Sequence, residues 1–174
     1  MTSDARTGDR ILGSVRSAEG KGVVKMEDRL DAHVDDVWSA LTDPRRLAGW
    51  LGDVDGDLRL GGEFRARFVA SGWQGTGRVE VCEPRQRLLV LTKDADEPNE
   101  HSNEVTLIAD GNQTIVAVEQ RGFPIDLLAA YAAGLQIHVE DLAAYLAGRE
   151  RREVAKARWD ELFPAYQELA ARAS

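Results

Sequence analysis

The stretch PIDLLAAYAAGLQIHVEDLAAYLAG, residues 124–148, sets the tightest limit on what this chain can fold into. Leu128, Tyr131, Leu135, Val139, Leu142 and Leu146 recur every three or four residues, the spacing of a helix with one apolar stripe. At ~1.5 Å per residue such a helix runs for about 35 Å, enough to cross a whole sheet. Its stripe has to be buried against another layer. Gly148 stands where a C-terminal cap belongs.

The segments before it supply that layer. RILGSVRSAEGKGVVKMEDRLDA (10–32) reads as two strands around the turn AEGKG, with Val24, Met26 and Leu30 alternating against Lys25, Glu27 and Arg29. In GEFRARFVA (62–70), Phe64, Ala66, Phe68 and Ala70 share one face, and Glu63, Arg65 and Arg67 the other. SGWQGTG (71–77) reads as a glycine-rich turn, GRVEVCEP (77–84) as a strand closed by Pro84, and RLLVLTK (87–93) as an apolar strand. DADEPNEHSN (94–103) reads as a polar loop, and NEVTLIAD and QTIVAVEQ as a hairpin across DGNQ. Short links favour antiparallel pairing. A one-sided antiparallel sheet covered by a long apolar helix is an α+β arrangement.

Two further helical regions flank this core. HVDDVWSALTD (33–43) carries Val34, Val37, Trp38 and Leu41 at helical spacing, with Asp35 and Asp36 at the positive end of its dipole. Pro44 stops it, and Asp43 and Pro44 suit the start of a second short helix, 44–51, with Leu47, Trp50 and Leu51 on one face. Trp38 and Trp50 are both expected to point inward. REVAKARWDELFPAYQELAARA reads as one more helix, or two interrupted near Pro164. Its apolar face of Trp159, Leu162, Phe163, Tyr166 and Leu169 either packs back on the domain or meets a second copy of the chain, since large apolar patches are not left in water. Residues 1–9 read as disordered.

At 174 residues one domain is expected. The formal charge of −8 argues against nucleic acid and against anionic membrane surfaces as partners. No apolar run approaches the ~20 residues of a membrane span, and MTSDARTGDR lacks the apolar centre of a secretory signal, so a cytoplasmic protein is expected. The basic run GRERREVAKAR (148–158) reads as a solvated helix face. Cys82, the single cysteine, permits no internal disulfide; it shares a strand face with Arg78 and Glu80 and reads as structural. His33 and His101 read as solvated, and the three histidines have no ligand spacing, so no metal is expected. There is no G-x-S-x-G and no phosphate loop. The acidic pairs Asp35/Asp36 and Asp55/Asp57 fall where caps and turns explain them. No catalytic residue and no cofactor are expected.

VWSALTDPRRLAGWL, then GDLRLGGEFR, GTGRVEVCEPRQRLLVLT, QTIVAVEQRGF and GLQIHVEDLAAYLAG together resemble the SRPBCC (START-like) superfamily, and within it the homologues of the heat-shock chaperone ATPase activator. The resemblance covers roughly residues 22–148. It implies a helix-grip fold like that of the birch-allergen and steroid-transfer domains: a curved antiparallel sheet around a long C-terminal helix, two short helices closing one end, and a cavity between. On that basis residues 10–148 form the domain and 149–174 a helical extension beyond the family's usual end. Gly61 and Gly62 would turn the chain sharply into the sheet.

The expected cavity lining is Trp50, Phe64, Phe68 and Trp73, with Gln120, Tyr131, Leu135 and His138. Trp50 is either plain core or part of the cavity mouth, and Trp73 either a lid or a surface-packing aromatic. Gln120 shares a strand face with Val116 and Val118 and must be hydrogen-bonded, to ligand or water, or to His138 or Tyr131. His138, beside the apolar stripe, is either a boundary histidine or a polar anchor. Three functions follow. The first is binding of a small hydrophobic molecule, which the lining favours. The second is a chaperone-activator-like interaction module, and the third a polyketide cyclase-like enzyme using His138 and Gln120.

Overall fold

A computed structural model describes residues 11–96, 100–149 and 155–173. The expected disorder of residues 1–9 and the centre of the basic run at 148–158 lie outside these residues. Along the chain stand β1 (Gly13–Ala18), β2 (Lys21–Leu30), α1 (Val34–Thr42), α2 (Pro44–Trp50), β3 (Gly52–Gly56), β4 (Glu63–Phe68) and β5 (Gln74–Glu83). They are followed by β6 (Arg87–Asp94), β7 (Glu100–Asp110), β8 (Gln113–Pro124), α3 (Leu128–Leu146) and α4 (Lys156–Ala173). The strands form one curved antiparallel sheet of 8 strands in the order β1-β2-β8-β7-β6-β5-β4-β3. Strands β3 to β8 are a meander, and β2 returns beside β8, so the chain's first hairpin completes the far edge.

The helix–kink–helix forms as its residues dictate. His33 caps α1, its Nδ1 accepting from the Asp35 N–H at 3.3 Å. Asp43 caps α2 by accepting from the Arg45 N–H at 3.0 Å, with Pro44 in the first helical position. Val37, Ala40, Leu47 and Trp50 bury against Leu30, Leu107, Val116 and Leu142, so the two short helices close one end of the sheet. Trp38, expected to point inward like Trp50, is only half-buried; it packs on the rim of that cluster, beside Leu58 and Cys82. Gly62 sits so close to the Asp57 carbonyl that a Cβ would lie 2.3 Å from it, which fixes a glycine at this turn into β4.

Four boundaries differ from the sequence reading. β3, GDVDG, has too few apolar residues to show an alternation, and it pairs only with β4 at the sheet edge. β5 begins at Gln74, so the glycine-rich stretch is largely strand. Gly77 lies under the Phe64 ring, where a Cβ would be 2.3 Å from Cζ. β7 begins at Glu100 and so takes in the end of the expected polar loop, whose residues 97–99 lie outside the described ones. A short 3₁₀ turn at Ile125–Leu127 precedes α3, which therefore starts at Leu128, the first residue of the apolar stripe, and not at residue 124.

α3 lies across the concave face with Leu135 and Leu142 buried beneath it. Its C-terminus is closed by the Arg149 N–H on Ala144 O at 2.9 Å and the Gly148 N–H on Tyr145 O at 3.0 Å. α4 is one helix despite Pro164 and packs back on α3 and β1. Leu162 and Tyr166 are fully buried there, so this much of the apolar face is covered by the chain itself.

Candidate functional site

Cross-strand pairing fixes which residues reach the concave face. Phe64 and Phe68 of β4 point inward with Ala66; Leu88, Val90 and Thr92 of β6 pair with Cys82, Val79 and Gly77 of β5. Asn103 and Val105 of β7 pair with Gln120 and Val118 of β8. Between this surface, the short helices and α3 lies a cavity of about 170 Å³. Among the described residues its lining holds no Asp, Glu, Lys or Arg; the polar members are Thr42, Thr92, Asn103, Gln120 and His138.

Six of the eight expected lining residues are there: Trp50, Phe64, Phe68, Gln120, Leu135 and His138. Trp50 is both core and wall, 5% exposed, its indole N–H donating to Ala40 O at 2.9 Å. Trp73 and Tyr131 stand outside the lining. The Trp73 ring packs on Phe68 at a tilt of 35° with centroids 4.8 Å apart, and its indole N–H donates to the Asp94 carboxylate. Tyr131 donates to the other Asp94 oxygen at 3.1 Å and stacks on Phe123 at 4.3 Å. One carboxylate thus draws both polar tips to the sheet's other end.

Two expectations are corrected. His101 is not solvated; it is 4% exposed, edge-on to Tyr131 at 5.3 Å and to Phe123 at 6.2 Å. Strand β7 starts early enough to place it on the concave face opposite Thr92. Cys82 does not share a face with Arg78 and Glu80, because the register slips by one residue between Val79 and Val81. That bulge turns Cys82 to the side of Leu88.

The polar wall is a chain across three strands. Asn103 Nδ2 donates to Thr92 Oγ1 at 2.8 Å, and Gln120 Nε2 donates to Asn103 Oδ1 at 2.8 Å. The chain ends at Gln120 Oε1, which is buried without a partner. Of the pairings weighed for Gln120, neither His138 nor Tyr131 is the one made. His138 reaches Ser71 Oγ through Nε2 at 3.2 Å, and its Nδ1 is likewise buried without a partner. Burial pushes the imidazole pKa down to about 4, so the ring is neutral at pH 7. Asn103 and Thr92 were missed, although Asn103 alternates with Val105 and Leu107, and Thr92 with Val90 and Leu88; the period-two signal was present. Among the described residues, no three His, Cys, Asp or Glu side chains stand together as a metal site, and no helix is long and apolar enough to cross a membrane.

The family model described as "Activator of Hsp90 ATPase homolog 1-like protein" matches residues 31–147. The crystal structure of CalU16 from Micromonospora echinospora is 26% identical, with a TM-score of 0.75 over 91% of this chain and 95% of that one. DynU16, a protein of the dynemicin biosynthetic locus, is 31% identical, with a TM-score of 0.67 over 75% of this chain and 51% of that one. CV1439 from Chromobacterium violaceum, at 23% identity and a TM-score of 0.61 over 71% of this chain and 96% of that one, shares the fold. No curated protein matches the chain. The helix-grip architecture and the match across most of the domain agree: this chain belongs to the Activator of Hsp90 ATPase homolog 1-like family, of the SRPBCC superfamily.

Proposed function

We propose that the protein binds one small, uncharged, mainly apolar molecule between the sheet and α3. The observation that carries this is a hollow of about 170 Å³ with uncharged walls into which two buried polar atoms are left unpaired. Folded chains rarely leave such atoms bare, because each costs about 1–3 kcal/mol. A ligand that meets them recovers that energy. The volume suits a guest of about one aromatic ring, since an apolar cavity of about 150 Å³ takes up benzene. Charged guests are disfavoured, as nothing in the lining would pair with them. Native mass spectrometry and thermal melting with neutral aromatic probes test the reading. A retained probe and a raised Tm are expected; no retention and no shift at millimolar probe would refute it.

A second reading draws on the family's description: the domain contacts an Hsp90-type chaperone through its outer surface and stimulates its ATPase. Pull-down with the chaperone and an ATPase assay distinguish the two, because an Hsp90 effect insensitive to cavity substitutions belongs to the surface alone. A cyclase-like reading gains less support. An imidazole titrating at about 4 is a weak base at neutral pH, whereas a general base works best when poised near the operating pH.

A further inference from the structure

We infer that the ligand is a hydrogen-bond donor, a neutral phenol or similar hydroxyl or N–H compound, and that the Gln120 side-chain carbonyl is the group that selects it. This rests on the cavity reading above. The argument is directional. Asn103 gives its N–H to Thr92 and takes the N–H of Gln120, so the two amides are threaded in one sense. In this sense the Gln120 amide nitrogen is turned to Asn103 Oδ1 at 2.8 Å, and one of its N–H groups is committed there. What remains at the end of the thread is a carbonyl oxygen, which only accepts.

Val116 and Val118, four and two residues before Gln120 on the same strand face, line the cavity with it and offer no donor. The second unpaired atom is less particular. Ser71 Oγ can either accept from or donate to His138 Nε2, so the neutral ring can hold its proton on either nitrogen. Nδ1 is then free to accept from the ligand or donate to it. The site therefore has one strict acceptor, one adaptable polar atom and no charge. A carboxylate or ammonium would find no counter-charge, and an ether or ketone would face Gln120 oxygen to oxygen. Water is a donor and would satisfy Oε1, so a purely apolar guest that displaces it leaves the oxygen bare, whereas a hydroxyl replaces what it removes.

Calorimetric titration of the full chain at pH 7 tests this with phenol, toluene, ethylbenzene, anisole and benzoate. Phenol should bind about 5- to 10-fold more tightly than toluene of equal size, the worth of one net hydrogen bond. Anisole, an acceptor that only His138 Nδ1 could meet, should gain less over ethylbenzene than phenol gains over toluene, and benzoate should not bind. In Gln120→Met the phenol preference over toluene should fall while toluene binding is kept. Toluene binding as tightly as phenol, or anisole gaining as much over ethylbenzene as phenol over toluene, would overturn the inference and leave the cavity reading standing. Failure of every probe on the wild-type chain would remove both. The wild-type series decides the matter even if the variant does not fold.

Discussion

The two flanks of α3 treat buried polar groups in opposite ways. On the side facing α4 and β1 the buried Gln136, Tyr166 and Arg158 all find partners. Gln136, fully buried, accepts from the Leu12 N–H at 3.1 Å and from the Tyr166 hydroxyl, and donates to Glu140 at 3.0 Å. Tyr166 accepts from the Gly13 N–H at 3.0 Å, and burial pushes its pKa up to about 12. Arg158 holds Glu140 with its Nε at 2.8 Å and its Nη2 at 2.5 Å. Two residues along the helix from Gln136, on the cavity side, His138 Nδ1 has nothing, and across the cavity Gln120 Oε1 has nothing. The same helix thus carries a polar seam built to hold and a polar wall left open. Packing for stability alone would have closed both, so the open wall is the part of the molecule with another task.

If that contrast is right, substitutions on the seam should cost far more than substitutions on the wall. The largest effect is expected from Arg158→Met. Its side chain and that of Glu140 are only 9% and 14% exposed, so the substitution takes the guanidinium from a mostly buried carboxylate. Loss of one partner from such a pair costs about 3–5 kcal/mol. Urea denaturation should show this as a lower midpoint with an unchanged slope. A loss below about 1 kcal/mol would mean that the extension is pinned by Leu162 and Tyr166 packing rather than by the ion pair.

Next in size is a pH effect on the wall. The folded pKa of His138 lies near 4, below the ordinary 6.5 that the unfolded chain would show. Above pH 6.5 the ring is neutral in both states and contributes nothing to the pH dependence. As pH falls from 6.5 towards 4 the unfolded chain takes up a proton that the folded chain refuses, so stability declines by about 2–3 kcal/mol. Below about 4 both states are protonated and the decline ends. Urea midpoints at pH 7 and 4.5 should therefore fall further for wild type than for His138→Leu, in which the same carboxylates titrate but this ring does not. Equal declines would place the ring in contact with water.

How far these two flanks could be read in the sequence differs for physical reasons. Period and composition carry the walls: Phe64, Phe68 and Leu135 announce themselves by alternation or helical spacing, and Gln120 by its place after Val116 and Val118. What one dimension does not carry is where a polar tip goes. Trp73 and Tyr131 have the apolar bodies of cavity residues, but Asp94 draws both away from the hollow. A single extra residue in β5 reverses the face of Cys82, and nothing in VEVC marks it. The seam was half legible. The apolar face of the extension is plain in the sequence, whereas Gln136, which takes up Leu12 and Tyr166, sits beside the helical stripe with no sign of its partners.

A smaller seam effect sharpens the comparison. Tyr166→Phe keeps the ring's packing and removes only the hydroxyl, leaving the part-buried Gly13 N–H without its acceptor. About 1–2 kcal/mol should be lost, since Gln136 keeps the Leu12 N–H as a second donor. Faster amide exchange at Gly13 and Leu12 than elsewhere in the β1–β2 hairpin would locate the loss. Unchanged exchange at these two amides would argue that β1 is held by its ladder with β2 and not by α4.

The smallest effect is expected on the wall, and its smallness is the point. Gln120→Met replaces the side chain with an apolar one of similar length and removes the unpaired Oε1. It also takes the N–H from Asn103 Oδ1, which then becomes the end of the thread. One bare acceptor is exchanged for another while the new thioether packs against Val116 and Val118, so the net change should lie within about 1 kcal/mol of zero, with stabilisation the better outcome. On the seam a comparable polar-to-apolar exchange, Gln136→Met, would strip partners from the Leu12 N–H and the Tyr166 hydroxyl at once and could not be neutral. Measured side by side in urea, the two Gln→Met substitutions isolate the variable of interest, because the residue types match and only the completeness of the surrounding network differs. If Gln120→Met destabilises as much as Gln136→Met, then Oε1 has a partner in solution that holds the fold, and the open wall is structural rather than reserved for a guest.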